Sequence, residues 1–564
     1  MKIKGLLIGM LACTALVGCT NSDEPLVDNG NEKKGDAYLS IKLVNPAVAS
    51  RASFENGEGN EGKVLNARFY LFDASGAAYT IADKSTNPAN SGKNYVDATV
   101  SPTSPNQTTG NNVETICEAI IVINQSEKEP PASIVAVLNP PTTILGNDNL
   151  SLSQLQAANM AANYATIKNG SNEDGTAKIE MPYIGENLFV MTNSVHIDAN
   201  NEKLVATPIE AINIKTSVAE AQAKPVQIYV ERIASKVRVK AEGANVNVNN
   251  EIVTIPTGVK DATGKDITAQ IKGWKVTNIT KKSNLLKSLN ESYTFSTTGW
   301  TAWNDAANHR SYWANTTETP THEWSFNDLT NSANGGIDYY NENTKNTDGS
   351  NSQLLVAAEF LVDGTKTTIA EWYGVKYTLD DLKVAIAGTL TKQIYVDEDG
   401  EKVSITDDYI DFVQETDDAD EVEAGRYKSF ATYLAKDADG NDITYYNAAG
   451  TSLDASALNA IFENVQPAKI WAAGGYYYVD IEHHAISVVE GEGEDAVTVK
   501  KSEKALVRNH LYDIKITALS GLGTPVYDPD KIITPEKPDT DLSYIAAKIN
   551  VLAWRVVSQD VTLE

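Results

Sequence analysis

The chain has 564 residues, a formal net charge of −28 and a pI of about 4.7. This negative charge repels the phosphates of nucleic acids and anionic lipids, which excludes phosphate-backbone binding as the main function. Hydrophobic residues make up 42%, enough for packed cores, and the length predicts two domains with additional tails. The three cysteines are Cys13, Cys19 and Cys117, and two of them lie in the leader, so no intramolecular disulfide framework is expected.

The first 19 residues are typical of a secretory leader. Lys2 and Lys4 precede an apolar run of about fourteen residues, which is too short to span a membrane. The run ends in LVGC, which resembles a bacterial lipobox, and in such leaders the cysteine is acylated and becomes the new N-terminus. We therefore expect lipidation at Cys19; the alternative is an ordinary signal peptide with a chance cysteine.

A first strand is predicted at Ala37–Val44, where apolar residues alternate until Pro46 ends the run. Its apolar face consists of Ala37, Leu39, Ile41 and Leu43. Arg51 follows in the polar, glycine-rich stretch SRASFENGEGNEGK, the kind of loop in which proteolytic cleavage is easiest. On these residues alone, cleavage after Arg51 and an uncut loop arginine are equally supported.

Further strand-like runs follow, separated by loops that contain Asn, Thr and Gly. They lie at Val64–Phe72, Ile116–Ile123, Ile134–Leu138, Phe189–Thr192, Val226–Val239, Gly273–Thr280, Leu354–Val362, Tyr476–Ile481 and His510–Ala518. One helix is predicted at Ser151–Thr166, and Lys281–Ser352 is expected to form long surface loops. The pattern predicts a mainly β protein with few short helices, consistent with Greek-key β-sandwiches.

The last stretch, Ser543–Glu564, is an unusually long apolar alternation whose phase changes at Leu552. Before it, the proline-rich segment Pro525–Asp541 is predicted to be an extended tether. An apolar strand at a chain end promotes unwanted edge pairing unless a groove is reserved for it, and we predict that this groove belongs to another copy. The predicted donor residues are Ile545, Ala547, Ile549, Val551, Leu552, Trp554, Val556, Val561 and Leu563.

Catalytic and cofactor motifs are missing from the sequence, which has no phosphate-binding glycine loop, nucleophile elbow or paired His-Glu zinc motif. His483 and His484 are adjacent and would point to opposite faces of a strand, which is poor geometry for one metal ion. The turn Asp437–Asp442 offers oxygen ligands but lacks EF-hand spacing, so a weak calcium site and a solvated acidic turn both remain. We expect no enzyme, no cofactor and no committed metal site.

Two smaller features have structural explanations that we favour. Trp300, Trp303 and Trp313 could bind a sugar, but they are more typical of residues that fix a long loop to a sandwich. Cys117 lies in the apolar run ICEAIIVI and is expected to be a buried small residue.

Several short motifs, in their order along the chain, resemble the shaft subunits of type V pili, specifically the major subunit of the minor (Mfa-type) fimbria. These motifs are the lipobox, AYLSIKLV, NARFYLFDASG, VERIASKV, WKVTNITKKSNLL, NHRSYWA, LLVAAEFLVDG, TIAEWYG, VRNHLYDIKI and VLAWRVV. The resemblance extends from the leader to the last strand, whereas the second-domain loops are this sequence's own, so receptor preference is not implied.

The resemblance implies two tandem transthyretin-like β-sandwich domains and export through the periplasm as an outer-membrane lipoprotein. It also implies that an arginine-specific protease cuts between Arg51 and Ala52, that the first strand is lost, and that the C-terminal strands of another subunit fill the groove. The implied segments are a signal peptide at 1–19, a propeptide at 20–51, domains at 52–232 and 233–524, and a tether with donor strands at 525–564.

The expected partners are further copies of the chain in a head-to-tail polymer, tip and anchor subunits, the protease, and receptors on host or bacterial surfaces. Membrane contact is expected only through the precursor lipid. Three alternatives remain: a tip or anchor subunit of the same pilus, a surface glycan-binding lipoprotein, and a glycosidase, which would need two carboxylates facing each other across a cleft.

Overall fold

Two β-sandwiches follow one another along the chain, and a smaller module is inserted in the second. The computed structural model describes residues 36–45, 64, 66–81, 92–99, 114–124, 129–140, 149–161, 184–185, 188–197, 202–289, 314–316, 318–345, 349–415, 429–437, 439–490, 497–535, 544–553 and 556–557. The mainly β fold class predicted from the sequence is confirmed. Within the described residues, no helix is long and apolar enough to cross a membrane.

The first sandwich is built from strands with alternating apolar residues, two short α-helices and a 3₁₀ turn at Ala211–Asn213. Its elements are β1 (Asp36–Asn45), β2 (Asn66–Phe72), β3 (Tyr95–Thr99), β4 (Glu114–Asn124), β5 (Ser133–Leu138), α1 (Leu152–Ala157), β6 (Asn159–Ala161), β7 (Ile184–Gly185), β8 (Leu188–Phe189), β9 (Met191–Asn193), β10 (His196–Ile197), β11 (Lys203–Leu204), β12 (Thr207–Pro208), β13 (Ile214–Lys215), α2 (Val218–Gln222) and β14 (Val226–Arg232).

The two layers of the first sandwich share β14. Its first half, Val226–Tyr229, pairs with β1, and its second half, Val230–Arg232, pairs with β9. One layer is therefore β4-β1-β14, and the other is β14-β9-β5-β2-β3. Buried apolar residues of both layers, including Ile41 of β1 and Phe69 of β2, form one hydrophobic core.

The second sandwich has the same kind of two-layer core. Its strands are β15 (Ala234–Ala241), β16 (Asn247–Asn249), β17 (Ile252–Lys260), β18 (Asp266–Thr277), β19 (Lys282–Asn284), β20 (Asn334–Asn341), β21 (Gln353–Val362), β22 (Thr365–Lys366) and, after the inserted module, β30 (Gly474–Asp480), β31 (Glu482–Glu490), β32 (Val497–Lys504), β33 (His510–Ser520), β34 (Thr524–Val526), β35 (Tyr544–Ala553) and β36 (Val556–Val557). The layers β20-β15-β33-β35-β36 and β16-β17-β18-β21-β30-β34 enclose a core that includes Val237, Trp274 and Ile514.

The inserted module lies between β22 and β30, and the sequence analysis did not predict it. Its elements are β23 (Ile369–Trp372), β24 (Val375–Thr378), α3 (Leu379–Leu390), β25 (Tyr395–Glu398), β26 (Glu401–Ser404), a 3₁₀ turn at Asp407–Tyr409, β27 (Ile410–Gln414), β28 (Phe430–Leu434), α4 (Ala455–Phe462) and β29 (Lys469–Trp471). Its two ends meet, because Ile369 of β23 pairs with Trp471 of β29. Leu382 and Ile386 of α3 belong to a core separate from those of the sandwiches.

Much of the chain's negative charge belongs to this module. Residues 369–471 contain 21 Asp and Glu against 8 Lys and Arg, a net charge of −13 out of the −28 of the whole chain. The acidic cluster Asp397–Glu401 forms the tip of the β25–β26 hairpin, where Asp399 and Gly400 take positive φ values of 53° and 92°. The module is thus an acidic body whose two ends pair in the β23–β29 ladder, and it also contacts the second sandwich where the Ala262 N–H donates to the Lys376 carbonyl (2.7 Å).

A strap formed by Lys282–Leu286 joins the two sandwiches. Its first three residues are β19, which pairs antiparallel with β6 of the first sandwich. Leu285 and Leu286 are fully buried in a core cluster with Tyr70 and Phe72 of β2. The prediction that Lys281–Ser352 forms surface loops was therefore wrong for this segment, because its leucines complete the packing of the first sandwich. It was also wrong for Asn334–Asn341, which forms β20 and pairs with β15.

A buried arginine fixes the strap to the second sandwich. The Arg508 guanidinium donates to the carbonyl oxygens of Asn284 (2.8 Å) and Leu285 (3.1 Å) and pairs with Glu342 at 3.2 Å. Its side chain is 1% exposed and that of Glu342 is 5% exposed, so each charge depends on the other for compensation. Lys287 and Glu231, which are both fully buried, form a second ion pair at 3.5 Å next to the strap.

Two further predictions differ from the structure. The helix predicted at Ser151–Thr166 ends at Ala157, because Ala158 is extended (ψ 102°) and the next residues form β6. The long strand predicted at Val226–Val239 is divided at Ile233, whose N–H donates to the carbonyl of Val190 (3.2 Å). The division places β14 in the first sandwich and β15 in the second.

Removal of the inserted module should leave the second sandwich folded. Ala370 and Ile470 are directly opposite each other in the β23–β29 ladder, so a short Gly-Asn turn can join them while Ile369 and Trp471 stay in the sandwich core. We expect a soluble chain with sandwich-like circular dichroism and a thermal midpoint close to that of the parent. In the intact chain, Ile386→Ala should destabilise the module by about 2–5 kcal/mol. An excised chain that is unfolded would contradict this independence.

Candidate assembly surfaces

The first strand, β1, occupies an interior position of its layer although it comes at the start of the chain. β4 pairs with it antiparallel along its whole length. On the other edge, β13 pairs with Tyr38 and Leu39, and β14 runs parallel to Ile41–Val44. We call the space between β4 and β14 that holds β1 the β1 groove. Loss of β1 would leave backbone groups of both neighbouring strands without their ladder partners.

The centre of β1 is covered on both faces. Leu39 and Ile41 are fully buried, as predicted, and Ser40 between them is only 1% exposed. Because successive residues of a strand point to opposite faces, burial of all three means that the groove encloses the strand rather than supporting one side of it. Of the other residues of the predicted apolar face, Ala37 pairs with Ile123 of β4 and Leu43 pairs with Cys117.

The predicted lipidation and cleavage residues lie outside the described residues. Cys19 precedes them, and Arg51 and Ala52 fall between Asn45, which ends β1, and Val64. Their roles therefore stay predictions. The predicted cleavage bond does lie, in sequence, between β1 and all later elements, so cutting it would separate β1 covalently from the rest of the protein.

The C-terminal strand, β35, lies in the second sandwich of its own chain. It pairs antiparallel with β33, from Ser520↔Tyr544 to His510↔Ala553. The predicted donor residues Ile545, Ala547, Ile549, Val551 and Leu552 are all within this strand, and Val556 is in β36. Trp554, Val561 and Leu563 lie outside the described residues, and donation by the whole set stays a prediction.

The second edge of β35 is covered only near its end. β36 folds back and pairs Val557 with Val551 and Val556 with Leu552. In the part of the chain that the structure describes, no other strand pairs with that edge of β35. β35 is therefore an edge strand over most of its length, whereas β1 is an interior strand.

The first part of β33, the strand that pairs with β35, is anchored by buried polar groups. The Tyr512 hydroxyl accepts the Val507 N–H (2.7 Å) and hydrogen-bonds His483 Nδ1 (2.9 Å). Burial raises the pKa of Tyr512 well above its ordinary value, so the phenol stays neutral. The His510 ring stacks edge-on against the His483 ring at 4.9 Å. The strand that carries β35 is thus held firmly whether or not β35 remains on it.

The segment before the C-terminal strand, from β34 to Pro535, packs against the rest of the protein. β34 pairs with β30, and the Tyr527 ring lies 5.4 Å from the ring of Phe430 in the inserted module. Ile533 is buried, and its N–H donates to the Trp324 carbonyl (2.8 Å). The extended tether predicted at Pro525–Asp541 is therefore fixed up to Pro535 at the least. Any swing of the tail has to begin after this point.

The metal sites considered in the sequence analysis gain no support. Among the described residues, no group of three His, Cys, Asp or Glu side chains could hold a metal ion. Asp437 Oδ1 accepts the N–H groups of Asp439 (2.9 Å) and Asn441 (2.8 Å), so the carboxylate closes its own turn. Hydrogen bonds from Asn441 lower its pKa below the ordinary value. Trp300, Trp303 and Trp313 lie outside the described residues.

Comparison with known proteins points to one family. Residues 472–560 match the model of the family "Major fimbrial subunit protein type IV, Fimbrillin, C-terminal". This segment includes β30 to β36, and the match supports the resemblance drawn from the sequence. No functionally curated protein matches the chain.

Solved structures with distant similarity come from related bacteria. A candidate cell adhesion protein from Bacteroides eggerthii is 11% identical, with a TM-score of 0.34 over 94% of this chain and 99% of that one. The tip fimbrial protein Mfa3 from Porphyromonas gingivalis, with a C-terminal truncation, is 10% identical, with a TM-score of 0.28 over 91% of this chain and 100% of that one. A fimbrial assembly protein from Parabacteroides distasonis is 12% identical, with a TM-score of 0.27 over 58% and 86%.

Shortening a buried side chain of β1 should weaken the uncut protein. Ile41→Ala removes apolar volume from a fully buried position, and we expect a loss of about 2–5 kcal/mol in the free energy of unfolding. Ile212→Ala is the matched control, because Ile212 is 50% exposed and its loss should change the stability by less than about 0.5 kcal/mol. Urea unfolding of the uncut protein measures both. Equal midpoints for the two variants would show that β1 is not part of the core in solution.

Proposed function

Because residues 472–560 match the fimbrillin C-terminal family, we propose that the chain is a subunit of a cell-surface fimbria, and specifically of its shaft. The observation that carries this proposal is the position of β1. It is an interior strand of the first sandwich, yet it is joined to the rest of the chain only through the segment that contains Arg51. A strand so placed can be exchanged for a strand of another molecule without any change in the order of the remaining strands.

In the proposed mechanism, β1 blocks assembly until the Arg51–Ala52 bond is cut by an arginine-specific protease. While β1 is tethered, each buried Leu or Ile holds it with roughly 1.5–3 kcal/mol, and it rebinds faster than a partner can arrive. After the cut, a β1 that leaves is diluted away. The groove then accepts the C-terminal strand of a neighbouring subunit.

The exchange is favoured because the donor moves from an edge to an interior position. On β33, most of β35 has a hydrogen-bonded neighbour on one edge only. In the β1 groove, the backbone of the donated segment would have β4 on one edge and β14 on the other, as β1 does. Strand addition of this kind takes its affinity from the main chain and its register from side-chain pockets.

The polymer that results is head-to-tail. The groove lies in the first sandwich and the donor leaves from the second, so the two contact surfaces differ and the contact propagates as a filament. After removal of residues 1–51, the subunit carries a net charge of −29, since the lost segment holds six Lys and Arg against five Asp and Glu. Such charge discourages side-by-side association of filaments.

The remaining parts of the proposal concern location and partners. The lipobox supports acylation of Cys19 and an outer-membrane precursor that loses its lipid with the propeptide. Tip and anchor subunits would bind at the two ends of the filament, and the fimbria would support adhesion. A donor tail together with an arginine between β1 and β2 favours a shaft subunit over a tip, which need not donate, or an anchor, which would keep its lipid.

Replacement of Arg51 by alanine should stop assembly. We expect soluble, uncut precursor with β1 in place, and therefore no fibres in electron micrographs. Arg51→Lys should behave in the same way, because the protease is expected to require arginine, whereas Lys63→Ala in the same loop should be cut normally and begin at Ala52. Normal fibres from the Arg51→Ala variant would refute the cleavage site.

Removal of residues 554–564 should prevent a subunit from donating its C-terminal strand but leave its β1 groove able to accept one. This truncation keeps β35 on β33, so the fold of the second sandwich is preserved. We expect folded monomers that cannot polymerise alone but that shorten fibres when mixed with the full-length subunit, because they still offer a β1 groove. Fibre length measured at several mixing ratios tests this. Long fibres from the truncated chain alone would mean that residues 554–564 are not needed for donation.

A further inference from the structure

The C-terminal tail contains a copy of the β1 sequence pattern. β1 reads LSIKLV at Leu39–Val44, and the tail reads LAWRVV at Leu552–Val557. In order, both have a leucine, a small residue, a large apolar residue, a basic residue, an aliphatic residue and a valine. Trp554 and Arg555 lie outside the described residues, so their part in the comparison comes from the sequence.

From this match we infer that Leu552–Val557 of one subunit occupy the positions of Leu39–Val44 in the next, in the same direction and register. The inference rests on the proposed strand exchange and adds to it the residue that fills each position. It implies that the donor runs parallel to β14 and antiparallel to β4, as β1 does.

The position of Ser40 is the strictest test of the register. This residue is 1% exposed and lies between two fully buried residues, so a charged group or an amide without hydrogen-bond partners would be costly there. The proposed register places Ala553 at this position. A tail moved by two residues, with Trp554 at the position of Leu39, would place Arg555 there and would bury an unpaired charge.

A second competing register places Ala547 at the position of Ala37. It would put Asn550 at the buried Ser40 position and Ala553 at the position of Leu43. The amide would need hydrogen-bond partners in an enclosed site, and alanine at the position of Leu43 would put a small side chain where β1 has a large apolar one. The proposed register avoids both defects, because it keeps Val556 at the position of Leu43.

The residues of β4 opposite β1 are compatible with the two positions at which the tail differs most from β1. Lys42 pairs in register with Glu118 of β4, so Arg555 would keep a basic residue opposite an acidic one. Ile41 pairs with Ala119, and a tryptophan at this position would be opposite one of the smallest residues of β4.

The free subunit keeps this segment folded in a different way. Leu552 pairs with Val556 and Val551 with Val557, so the segment is bent into the β35–β36 hairpin. The hairpin has to open before the segment can lie straight in a groove. Ile545 and Ala547, which were predicted to be donor residues, would then precede the groove and could stay on β33.

A native cysteine makes the register measurable. Cys117 pairs with Leu43 of β1, and it is the only cysteine that remains after cleavage at Arg51. The proposed register brings Val556 of the neighbour opposite Cys117. Residues directly opposite in an antiparallel pair have Cα atoms about 4.5–5.5 Å apart, which is within the range of a disulfide.

The experiment compares Val556→Cys with Ala553→Cys in assembled fibres after mild oxidation. For Val556→Cys we expect a ladder of covalent oligomers on non-reducing gels, and for Ala553→Cys about tenfold less, because three residues along a strand separate the sulfurs by roughly 10 Å. Adding Cys117→Ser to Val556→Cys should abolish the ladder. If Val556→Cys impairs assembly, the pair Leu552→Cys and Ile121→Cys on a Cys117→Ser background tests the same register, since Ile121 pairs with Leu39.

The outcomes separate the register from the exchange itself. Cross-linking of Ala553→Cys in place of Val556→Cys would show that Ala553 takes the position of Leu43, and would overturn the register while strand exchange stands. Fibres that require residues 554–564 but cross-link with neither variant would overturn it as well. Fibres that form without residues 554–564 would overturn the register, because Trp554–Val557 are part of it. Fibres that form without residues 543–564 would remove the proposed strand exchange on which the register rests.

Discussion

An interior β-strand satisfies two rows of backbone groups at once, and the first sandwich depends on such a strand at the position of β1. The neighbours β4 and β14 run in opposite directions relative to β1 and are not paired with each other there. Without an occupant, both would expose unpaired N–H and C=O groups beside a core that includes Phe69 and Ile121. The requirement is for a strand of suitable pattern, and nothing in the backbone ladder requires it to come from the same chain.

The second sandwich contains the same arrangement, with one difference in connectivity. There β15 lies between β20, which is antiparallel to it, and β33, which is parallel, just as β1 lies between β4 and β14. β15, however, continues directly from β14 through Ile233, and the Arg508 cluster and the strap hold this junction. Cleavage after Arg51 therefore cannot release β15, the first strand of the second sandwich. Only the first sandwich has a leading strand that a single cut can release.

The sequence was sufficient for features that depend on local apolar patterns. β1, β2 and β33 could be predicted because their apolar residues recur at every second position, and β5 and β21 because they are continuous apolar runs. Arg51 and the apolar tail could be recognised as unusual. Features that depend on contacts between residues far apart in the sequence could not be predicted. Nothing local marks Arg508 as a buried cation, Leu285 as part of another domain's core, or Ile369 and Trp471 as the closed ends of an inserted module. The packing of Pro525–Pro535 against the second sandwich could not be predicted, because its prolines are equally typical of an extended tether.

The pairing of β35 with β33 reduces the aggregation problem that an apolar tail creates, because it covers one of the two edges of β35. A free subunit that exposed Tyr544–Ala553 would offer an open edge to any strand, including those of unfolded chains. By lying on β33, with its end folded back as β36, the tail has one paired edge and a short protected end. That arrangement is less complete than the one in the β1 groove, where both edges are paired. The proposed exchange would use this difference, because β35 has one paired edge on β33 and the β1 groove offers pairing on both edges.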